Sequence, residues 1–315
     1  MTQAIQTVAI IGTGVIGASW ATAFLARGMD VIAADPATGA EKELRRTVAA
    51  QWVVMEQIGL SPDASLDRLR FVESLEDAVA AADFVQESGP ERLDVKRDLF
   101  RRLDEAAPAE SLIATSASTI TIGEFQDACG RHPERVVLGH PFNPPHLIPL
   151  VEVGGGKLTS EGAIERALAF YRAMRKHPIR LRRESKGHVA NRLQAALWQE
   201  AFHLVSSGVA SVADVDAAIA HGPGLRWSLL GPFLNLHLSG GKDGIGALFE
   251  KPLWQATEGM WRDLGSLSVD GDLGNRVMAG VADEIGARDL VEMVRQRDDA
   301  LVRLLRLKAA SEGLP

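Results

Sequence analysis

A glycine pattern near the start of the chain constrains the fold more than any other feature. Gly12, Gly14 and Gly17 stand in G-x-G-x-x-G spacing between an apolar run, TVAII, and a helical pattern, ASWATAFLARG. In such a strand–turn–helix unit the first glycine allows a tight turn, the second lets the backbone approach a pyrophosphate, and the third lets helix and strand pack closely. The spacing predicts a dinucleotide site whose pyrophosphate lies at the helix N-terminus, beside the backbone of Val15 and Ile16.

An acidic residue follows at the distance that such a site requires. Asp35 ends the second apolar run, DVIAAD, 18 residues beyond Gly17. A carboxylate there accepts hydrogen bonds from the ribose hydroxyls of the adenosine and repels a 2′-phosphate, so NAD is expected rather than NADP. Glu91 and Lys96, in QESGPERLDVK after the fourth strand pattern, are further candidates beside the cofactor. Their alternative is a solvated helix start, and the alternative for the glycines is a plain structural turn.

Short apolar runs alternate with helical patterns over about the first 180 residues. The strand candidates are TVAII, DVIAAD, LRFV, DFVQES, SLIAT, RVVLG and LIPLVEV. The alternation predicts an α/β Rossmann domain with a mostly parallel, doubly wound sheet. After RLRRESKG the pattern is helical, so we expect a Rossmann domain over residues 1–184 and an all-α domain over 185–315. Ser74, Ser160 and Ser211 are expected to cap helices.

Charge and cysteine content restrict the partners of the chain. The net charge is −7 over 315 residues, which argues against nucleic-acid binding because that needs a basic face. No apolar run approaches the roughly 20 residues of a membrane span, and no secretory signal is predicted. Cys129 is the single cysteine, so no intrachain disulfide is possible and a cytoplasmic location is expected. The histidines show no metal-ligand spacing, and no metal is expected.

The segment LGHPFNPPHLIPLVEV places two ionisable residues in an apolar setting. His140 ends one strand pattern, and Glu152 lies in a strand expected to return alongside it. Burying even an unpaired neutral polar group costs about 2 to 7 kcal/mol, so a use for both residues is indicated. As a pair they suit the oxidation of an alcohol, since the imidazole takes the hydroxyl proton while the carboxylate holds the second ring nitrogen. The alternative for His140 is a core histidine bonded to a backbone carbonyl.

Other polar residues are expected close to this pair. Ser116 and Ser118 end the fifth strand at the cofactor edge, and Asn191 begins the helical region. A hydroxyl and an amide that converge on the substrate oxygen would polarise a carbonyl or fix an alcohol. Ser118 and Asn191 could instead cap helices, and Asn143 could either contact the substrate or cap its own loop.

Five separated motifs resemble those of the L-3-hydroxyacyl-CoA dehydrogenase superfamily, in matching order across nearly the whole chain. They are Gly12-x-Gly14-x-x-Gly17 with Asp35, QESGPERLDVK, TSAST, GHPFNPPHLIPLVEV and GHVANRL. The resemblance implies NAD-dependent hydride chemistry on an L-3-hydroxy substrate and a helical domain that forms a homodimer. It also implies that His140 is the base and Glu152 its partner. Ser118 and Asn191 would contact the substrate oxygen.

Departures from the acyl-CoA members indicate one branch of this superfamily. Pro141 follows His140 where those members carry two aromatic residues, and the later segment reads IPLVE. This form resembles the branch that acts on free 3-hydroxy acids, which includes L-gulonate 3-dehydrogenase and L-carnitine dehydrogenase. Arg226 in GPGLRWSLLGP stands where that branch also has arginine, and a guanidinium binds a carboxylate in bidentate fashion. A surface or ion-paired arginine is its alternative.

We therefore predict NAD-dependent oxidation of a small free L-3-hydroxy acid, similar to gulonate, carnitine or 3-hydroxybutyrate, to the 3-keto acid. Action on the CoA thioester and a catalytically idle NAD-binding protein are the alternatives. The basic segment RKHPIRLRRESKG could hold coenzyme A phosphates or be a solvated strand face. Trp227, Trp254 and Trp261 could surround a trimethylammonium group or belong to a core. His146 and His188 have no assigned role.

Overall fold

The computed structural model describes residues 5–250, 252–311 and 313. The chain divides into two compact units, Met1–Arg192 and Leu193–Pro315. The first unit is built on a sheet and the second on helices. The division falls inside the first turn of one helix, Ala190–Ser206. The functional boundary expected between residues 184 and 185 stays a proposal.

Eight short strands form a single sheet in the first unit. They are β1 (Thr7–Ile11), β2 (Asp30–Ala34), β3 (Leu69–Val72), β4 (Phe84–Glu87), β5 (Leu112–Thr115), β6 (Val136–Pro141), β7 (Leu150–Gly154) and β8 (His177–Arg180). Their order across the sheet is β3-β2-β1-β4-β5-β6-β7-β8. Neighbouring strands are parallel except β6 and β7, which are antiparallel. The predicted mostly parallel sheet is confirmed, and the basic segment supplies β8.

Five α-helices cover this sheet. They are α1 (Val15–Leu25), α2 (Ala40–Ile58), α3 (Leu75–Val79), α4 (Leu93–Ala106) and α5 (Glu161–Ala173). Ser74 and Ser160 cap α3 and α5 as predicted, since their hydroxyls accept the N–H groups of Asp77 at 2.9 Å and Ala163 at 3.2 Å. Each cap satisfies a backbone donor that the helix leaves unpaired.

Both faces of the sheet are buried, because alternate residues of a strand point to opposite sides. In β1, Val8 and Ile10 belong to one core with residues of α1, α2 and α5. Ala9 and Ile11 belong to a second core with residues of α3 and α4. Aromatic rings with neighbouring centroids 4.2 to 5.7 Å apart fill the first core: Trp20, Phe24, Phe84, Phe170 and Tyr171. The loops at the strand ends are thus mounted on a rigid frame.

The second unit is built of helices, as predicted, and its described residues form no strand. Its helices are α6 (Ala190–Ser206), α7 (Val212–Ala220), α8 (Pro223–Trp227), α9 (Pro232–Ser239), α10 (Gly244–Phe249), α11 (Pro252–Asp263), α12 (Gly271–Ile285) and α13 (Leu290–Ala309). Ser211 and Asp214 form a capping box at the start of α7. Large apolar side chains lie on its surface, with Phe233 78% and Val291 80% exposed. In the described part of the chain, no helix combines the length and the apolar character that crossing a membrane requires.

Candidate active site

His140 and Glu152 lie side by side in the sheet. The antiparallel register pairs them directly across β6 and β7, and Nδ1 of His140 is 2.9 Å from Oε2 of Glu152. Their residues are 5% and 1% exposed. The juxtaposition expected from the sequence is therefore present, and the two groups share one buried hydrogen bond.

The second oxygen of Glu152 is held by the beginning of α6. Oε1 accepts the backbone N–H groups of Val189 at 2.8 Å and Ala190 at 3.0 Å. Burial alone would raise the pKa of Glu152, but the hydrogen bonds from His140 and from these N–H groups bring it below the usual value. An ionised carboxylate only accepts hydrogen bonds, so Nδ1 of His140 carries its proton toward Glu152. In the neutral ring Nε2 is then free to accept a proton.

Ser118 faces this nitrogen. Its Oγ is 3.1 Å from Nε2 of His140. The loop that carries Ser118 is held by Glu91, whose Oε1 accepts the N–H groups of Ser118, Thr119 and Ile120. Burial raises the pKa of Glu91, yet these bonds lower it overall, so Glu91 is anionic at neutral pH. The structure thus brings the hydroxyl of Ser118 to the proton-accepting atom of His140.

A row of polar side chains that sequence reasoning missed lies next to Ser116. The Tyr171 hydroxyl donates to Oε1 of Gln86 at 2.6 Å, and Nε2 of Gln86 donates to Oγ of Ser116 at 2.9 Å. Oγ of Ser88 is also 2.9 Å from Oγ of Ser116. Gln86 and Tyr171 are 85 positions apart and carry no local sequence signal for this contact. These bonds orient Ser116 at the end of β5.

Lys96 forms a buried ion pair. Its Nζ donates to both carboxylate oxygens of Glu87, at 2.7 and 2.8 Å, and the residue is 1% exposed. Glu87 ends β4 and also accepts the hydroxyl of Thr115 at 2.7 Å. This ion pair links the first turn of α4 to the carboxyl end of β4. A direct contact of Lys96 or Glu91 with the cofactor stays a prediction.

The glycine loop has the geometry that its spacing indicates. Gly12 has a φ of +87°, and a Cβ there would lie 2.8 Å from the carbonyl oxygen of Ser88. A Cβ on Gly17 would lie 1.9 Å from the carbonyl oxygen of Gly12, so only a hydrogen atom fits between the helix and the turn at this position. A Cβ on Gly14 would have no atom of the described chain within 4 Å. The space beside Gly14 is therefore a cradle that a side chain would partly fill.

The cradle opens onto the N-terminus of α1. Val15 begins the helix after Gly14, the first turn holds no acidic residue, and no side chain of the described residues caps it. Backbone N–H groups of a first helical turn, together with the helix dipole, bind phosphate anions. The N–H groups of Val15 and Ile16 thus suit the pyrophosphate.

Asp35 lies at the edge of a cleft of about 1020 Å³. Its carboxylate accepts the N–H groups of Thr13 at 2.7 Å and Ala37 at 2.9 Å, which fixes its position beside the glycine loop. The cleft also has acidic residues in its lining: Glu73, Glu76, Asp94 and Asp98. Its arginine, Arg102, is paired with Glu76 at 2.8 Å. This acidic lining suits a ribose with free hydroxyls and disfavours a 2′-phosphate.

Three predicted residues stand apart from these contacts. Asn191 is half-buried in the first turn of α6, and Asn143 is exposed in the connection between β6 and β7. Neither side chain makes a hydrogen bond to another described residue. Arg226 belongs to α8 in the helical unit, and its exposed guanidinium forms no ion pair with the residues that the structure describes. Their roles stay predictions.

Two histidines without an assigned role are both buried. Oγ of Ser19, in α1, lies 2.8 Å from Nδ1 of His146 and accepts the backbone N–H of His146 at 2.9 Å, which anchors the β6–β7 connection to α1. His188 lies next to the His140–Glu152 pair, with its ring centroid 4.8 Å from that of His140.

The tryptophans of the helical unit form a cluster of their own. Trp254 contacts Phe249 and Trp261 edge to face, with ring centroids 4.7 and 5.4 Å apart. Trp227 is exposed on α8. Whether any of these rings meets a trimethylammonium group stays a prediction.

Comparison with known proteins matches nearly the whole chain. Residues 7–185 match the family model of the 3-hydroxyacyl-CoA dehydrogenase NAD binding domain, and residues 187–290 match that of the C-terminal domain. An L-carnitine dehydrogenase of Streptomyces griseus subsp. griseus is 47% identical over 302 residues, which are 96% of this chain and 90% of that protein. An L-carnitine dehydrogenase of Pseudomonas putida is 44% identical over 313 residues, 98% and 97% of the two chains.

One solved structure is similar over nearly the whole chain. The crystal structure of 5-formyl-3-hydroxy-2-methylpyridine 4-carboxylic acid 5-dehydrogenase, an NAD+-dependent dismutase, superposes with a TM-score of 0.82 at 27% identity, and the match covers 98% of this chain and 100% of that one. The protein is an NAD-dependent dehydrogenase that acts on a CH–OH group. With both of its domains matched, the chain belongs to the 3-hydroxyacyl-CoA dehydrogenase family.

Proposed function

We propose that this protein oxidises the 3-hydroxyl group of L-carnitine, a free L-3-hydroxy acid, to the 3-keto acid. The observation that carries the proposal is the buried His140–Glu152 hydrogen bond with Ser118 at the other ring nitrogen. This is a general base held for alcohol oxidation. Relatives at 44 to 47% identity that are named L-carnitine dehydrogenases support the choice of acid over CoA thioester.

The proposed reaction uses His140 as the base. Nε2 of His140 takes the hydroxyl proton of the substrate, and the charge that develops on the ring is stabilised by the anionic Glu152 at Nδ1. Ser118, already within hydrogen-bond distance of Nε2, donates its hydroxyl hydrogen to the substrate oxygen when the substrate is bound. When bound, NAD supplies the acceptor for the hydride that leaves C3. In the same proposal Asn191 contacts the substrate oxygen from the start of α6.

The cofactor is held by the first βαβ unit in this proposal. Gly12 allows the tight turn, Gly14 leaves room for the pyrophosphate, and the N–H groups of Val15 and Ile16 bind it. Asp35 accepts the ribose hydroxyls. Ser116 lies at the same carboxyl edge of the sheet, where its hydroxyl is oriented by Gln86.

Arg226 is the proposed partner of the substrate carboxylate. A guanidinium in no ion pair with the described residues is free to form a bidentate bond, and a thioester offers no carboxylate to receive it. Asn143 is proposed to assist at the same end of the substrate.

The proposal is tested by turnover of a small panel of alcohols. NADH absorbance is followed with L-carnitine, D-carnitine, L-3-hydroxybutyrate, L-gulonate and 3-hydroxybutyryl-CoA. We expect L-carnitine to give the highest kcat/KM, and Arg226→Ala to raise its KM about 10-fold or more through loss of a charge-assisted pair. Arg288→Ala, an exposed arginine of the same unit, is the control and should leave KM unchanged. Faster turnover of the thioester than of any free acid would refute the assignment.

We also propose a homodimer formed through the helical unit, and a cytoplasmic location. The many large apolar side chains exposed on the helical unit support the dimer, because a second chain could remove them from water. The single cysteine, Cys129, which cannot form an intrachain disulfide, supports a reducing compartment.

A further inference from the structure

His188 lies in the turn just before α6, and this turn contacts both the Ser118 loop and Glu152. Its Nε2 is 2.9 Å from the carbonyl oxygen of Ala117, the residue before Ser118. The two residues that follow it, Val189 and Ala190, donate their N–H groups to Glu152. The same turn also donates the N–H of Gly187 to the carbonyl oxygen of Ser118 at 3.0 Å. His188 therefore links the Ser118 loop to the backbone that holds Glu152.

The protonation of His188 follows from its partners. A carbonyl oxygen only accepts, so Nε2 carries a hydrogen and donates it to Ala117. Nδ1 is buried and has no partner among the described residues. Burial and the nearby charge of His140 lower the pKa of His188, although the bond to Ala117 opposes this. The ring is therefore neutral near physiological pH, and it donates without adding charge beside His140.

Ionisable groups surround His188 on several elements. Those that act on it or line the small cavity beside it are His140, Glu152, Glu91, Arg183 and Glu184. The two histidine rings lie 4.8 Å apart at an angle of 54°. A charge on His188 would oppose the charge that His140 gains when it takes a proton. A neutral His188 ring does not repel the positive charge that His140 gains.

His188 carries two features that are unfavourable for folding. Its φ is +51°, a backbone conformation that side chains of L-residues rarely adopt. It also buries Nδ1 without a hydrogen bond among the described residues. A turn needed only for chain reversal is better served by glycine at positive φ and by no buried nitrogen. Such unfavourable features concentrate at functional sites.

We propose that His188 is a positioning residue for the catalytic pair: its Nε2–H bond to Ala117 fixes the Ser118 loop against the turn that holds Glu152. The inference rests on the proposed function for the role of His140 as base. His188 itself does not exchange protons with the substrate. It acts through the loop that carries Ser118.

Two substitutions keep a side chain at this positive φ, so both retain the backbone strain. Together they distinguish the effect of the hydrogen bond to Ala117 from the effect of the ring. His188→Phe keeps a ring of similar size but cannot donate, whereas the amide nitrogen of His188→Gln can replace Nε2. We expect His188→Phe to lower kcat about 10-fold or more, because small displacements of catalytic groups have large effects on rate. His188→Gln should stay within about 3-fold of the wild-type kcat. The KM for NAD should be unchanged in both, since the glycine loop belongs to other strands.

The kinetic outcomes decide the proposal in either direction. A His188→Phe enzyme with wild-type kcat, or a His188→Gln enzyme as slow as His188→Phe, overturns it. The rates are measured with whichever alcohol the wild type oxidises best. Failure of L-carnitine as a substrate therefore refutes the proposed substrate without deciding the role of His188.

A second readout needs neither substrate nor cofactor. NMR of protein labelled with 15N-histidine reports the tautomer and the titration of each ring. We expect His188 to be the neutral Nε2–H tautomer near neutral pH in the folded wild type. The Nδ1–H tautomer of the neutral ring in the folded wild type overturns the proposal even if His188→Phe fails to fold, because Nε2 would then carry no hydrogen to donate to Ala117.

Discussion

At the scale of single residues, buried carboxylates of the sheet unit face buried basic groups. Three such pairs occur among the described residues: Glu152 with His140 at 2.9 Å, Glu87 with Lys96 at 2.7 Å and Asp104 with Arg135 at 3.0 Å. Pairing offsets the cost of burial in each, so burial alone does not mark a catalytic pair. The first pair differs because the second nitrogen of its imidazole can accept a proton and faces the hydroxyl of Ser118.

Replacement of Glu152 by glutamine tests the charge in this pair. The amide can still occupy the space beside His140, but it cannot stabilise an imidazolium as an anion does. We expect Glu152→Gln to lower kcat for alcohol oxidation about 100-fold or more, measured by NADH formation. Glu134→Gln, in an exposed pair with His132 at 3.2 Å, is the matched control and should keep full activity. Activity of Glu152→Gln within twofold of wild type would contradict the proposed role.

The buried Glu87–Lys96 pair gives a prediction for stability. Lys96→Met removes the ammonium and leaves the carboxylate of Glu87, which is fully buried, without its partner. Breaking such a pair costs about 3 to 5 kcal/mol in the free energy of unfolding, to be measured by urea denaturation. Glu87→Gln combined with Lys96→Met should recover part of the loss, since no charge stays buried. Arg101→Ala, in exposed pairs, should cost less than about 1 kcal/mol.

Sequence reasoning reached some of these residue contacts and missed others for a physical reason. His140 and Glu152 were paired correctly because a short connection returns the chain antiparallel, which brings near neighbours in sequence together. Ser74 and Ser160 were recognised as caps because a cap and its partner are three residues apart. The bond from His188 to Ala117 spans 71 positions, and no local pattern indicates such a partner.

At the scale of elements, the turn between β1 and α1 shows how one spacing serves both folding and binding. Gly17 is required by the fold, since a Cβ there would overlap the carbonyl oxygen of Gly12. Gly14 is not, because a Cβ there would meet no described atom. The two glycines of one motif therefore have separable roles, which structure reveals and spacing does not.

Two alanine substitutions test this separation. Gly17→Ala should lower the free energy of unfolding by about 1 to 3 kcal/mol, because helix and turn must move apart. Gly14→Ala should leave it within about 0.5 kcal/mol of wild type. The same variant should weaken NAD binding about 10-fold or more, measured by fluorescence titration, since its methyl group occupies the cradle. Unchanged NAD affinity in Gly14→Ala would place the pyrophosphate elsewhere.

At the scale of the whole molecule, the sequence predicts more of the sheet unit than of the helical unit. The strands of the sheet unit are near-continuous apolar runs, because both faces of the sheet are buried in hydrophobic cores. The alternation of strand and helix patterns along the chain therefore predicts its α/β class. The helical unit buries few of its described apolar residues, among them Leu248, Leu273 and Val302. Amphipathic patterns predicted its helices but not what covers their apolar sides, because periodicity is the same against a neighbouring helix or a second chain.

The exposed apolar residues of the helical unit lead to a prediction about assembly. Large side chains left in water are unfavourable by about 25 cal/mol per Å² of apolar area, and a second copy of the chain would remove them from water. We expect light scattering after gel filtration to give twice the chain mass of 33.9 kDa. Phe233→Asp combined with Val291→Asp should shift the mass toward one chain if these residues lie in the interface. Val53→Asp, on an exposed position of α2, should leave the dimer intact. A wild-type mass of one chain at micromolar concentration would exclude the homodimer, and the apolar side chains would then need another partner.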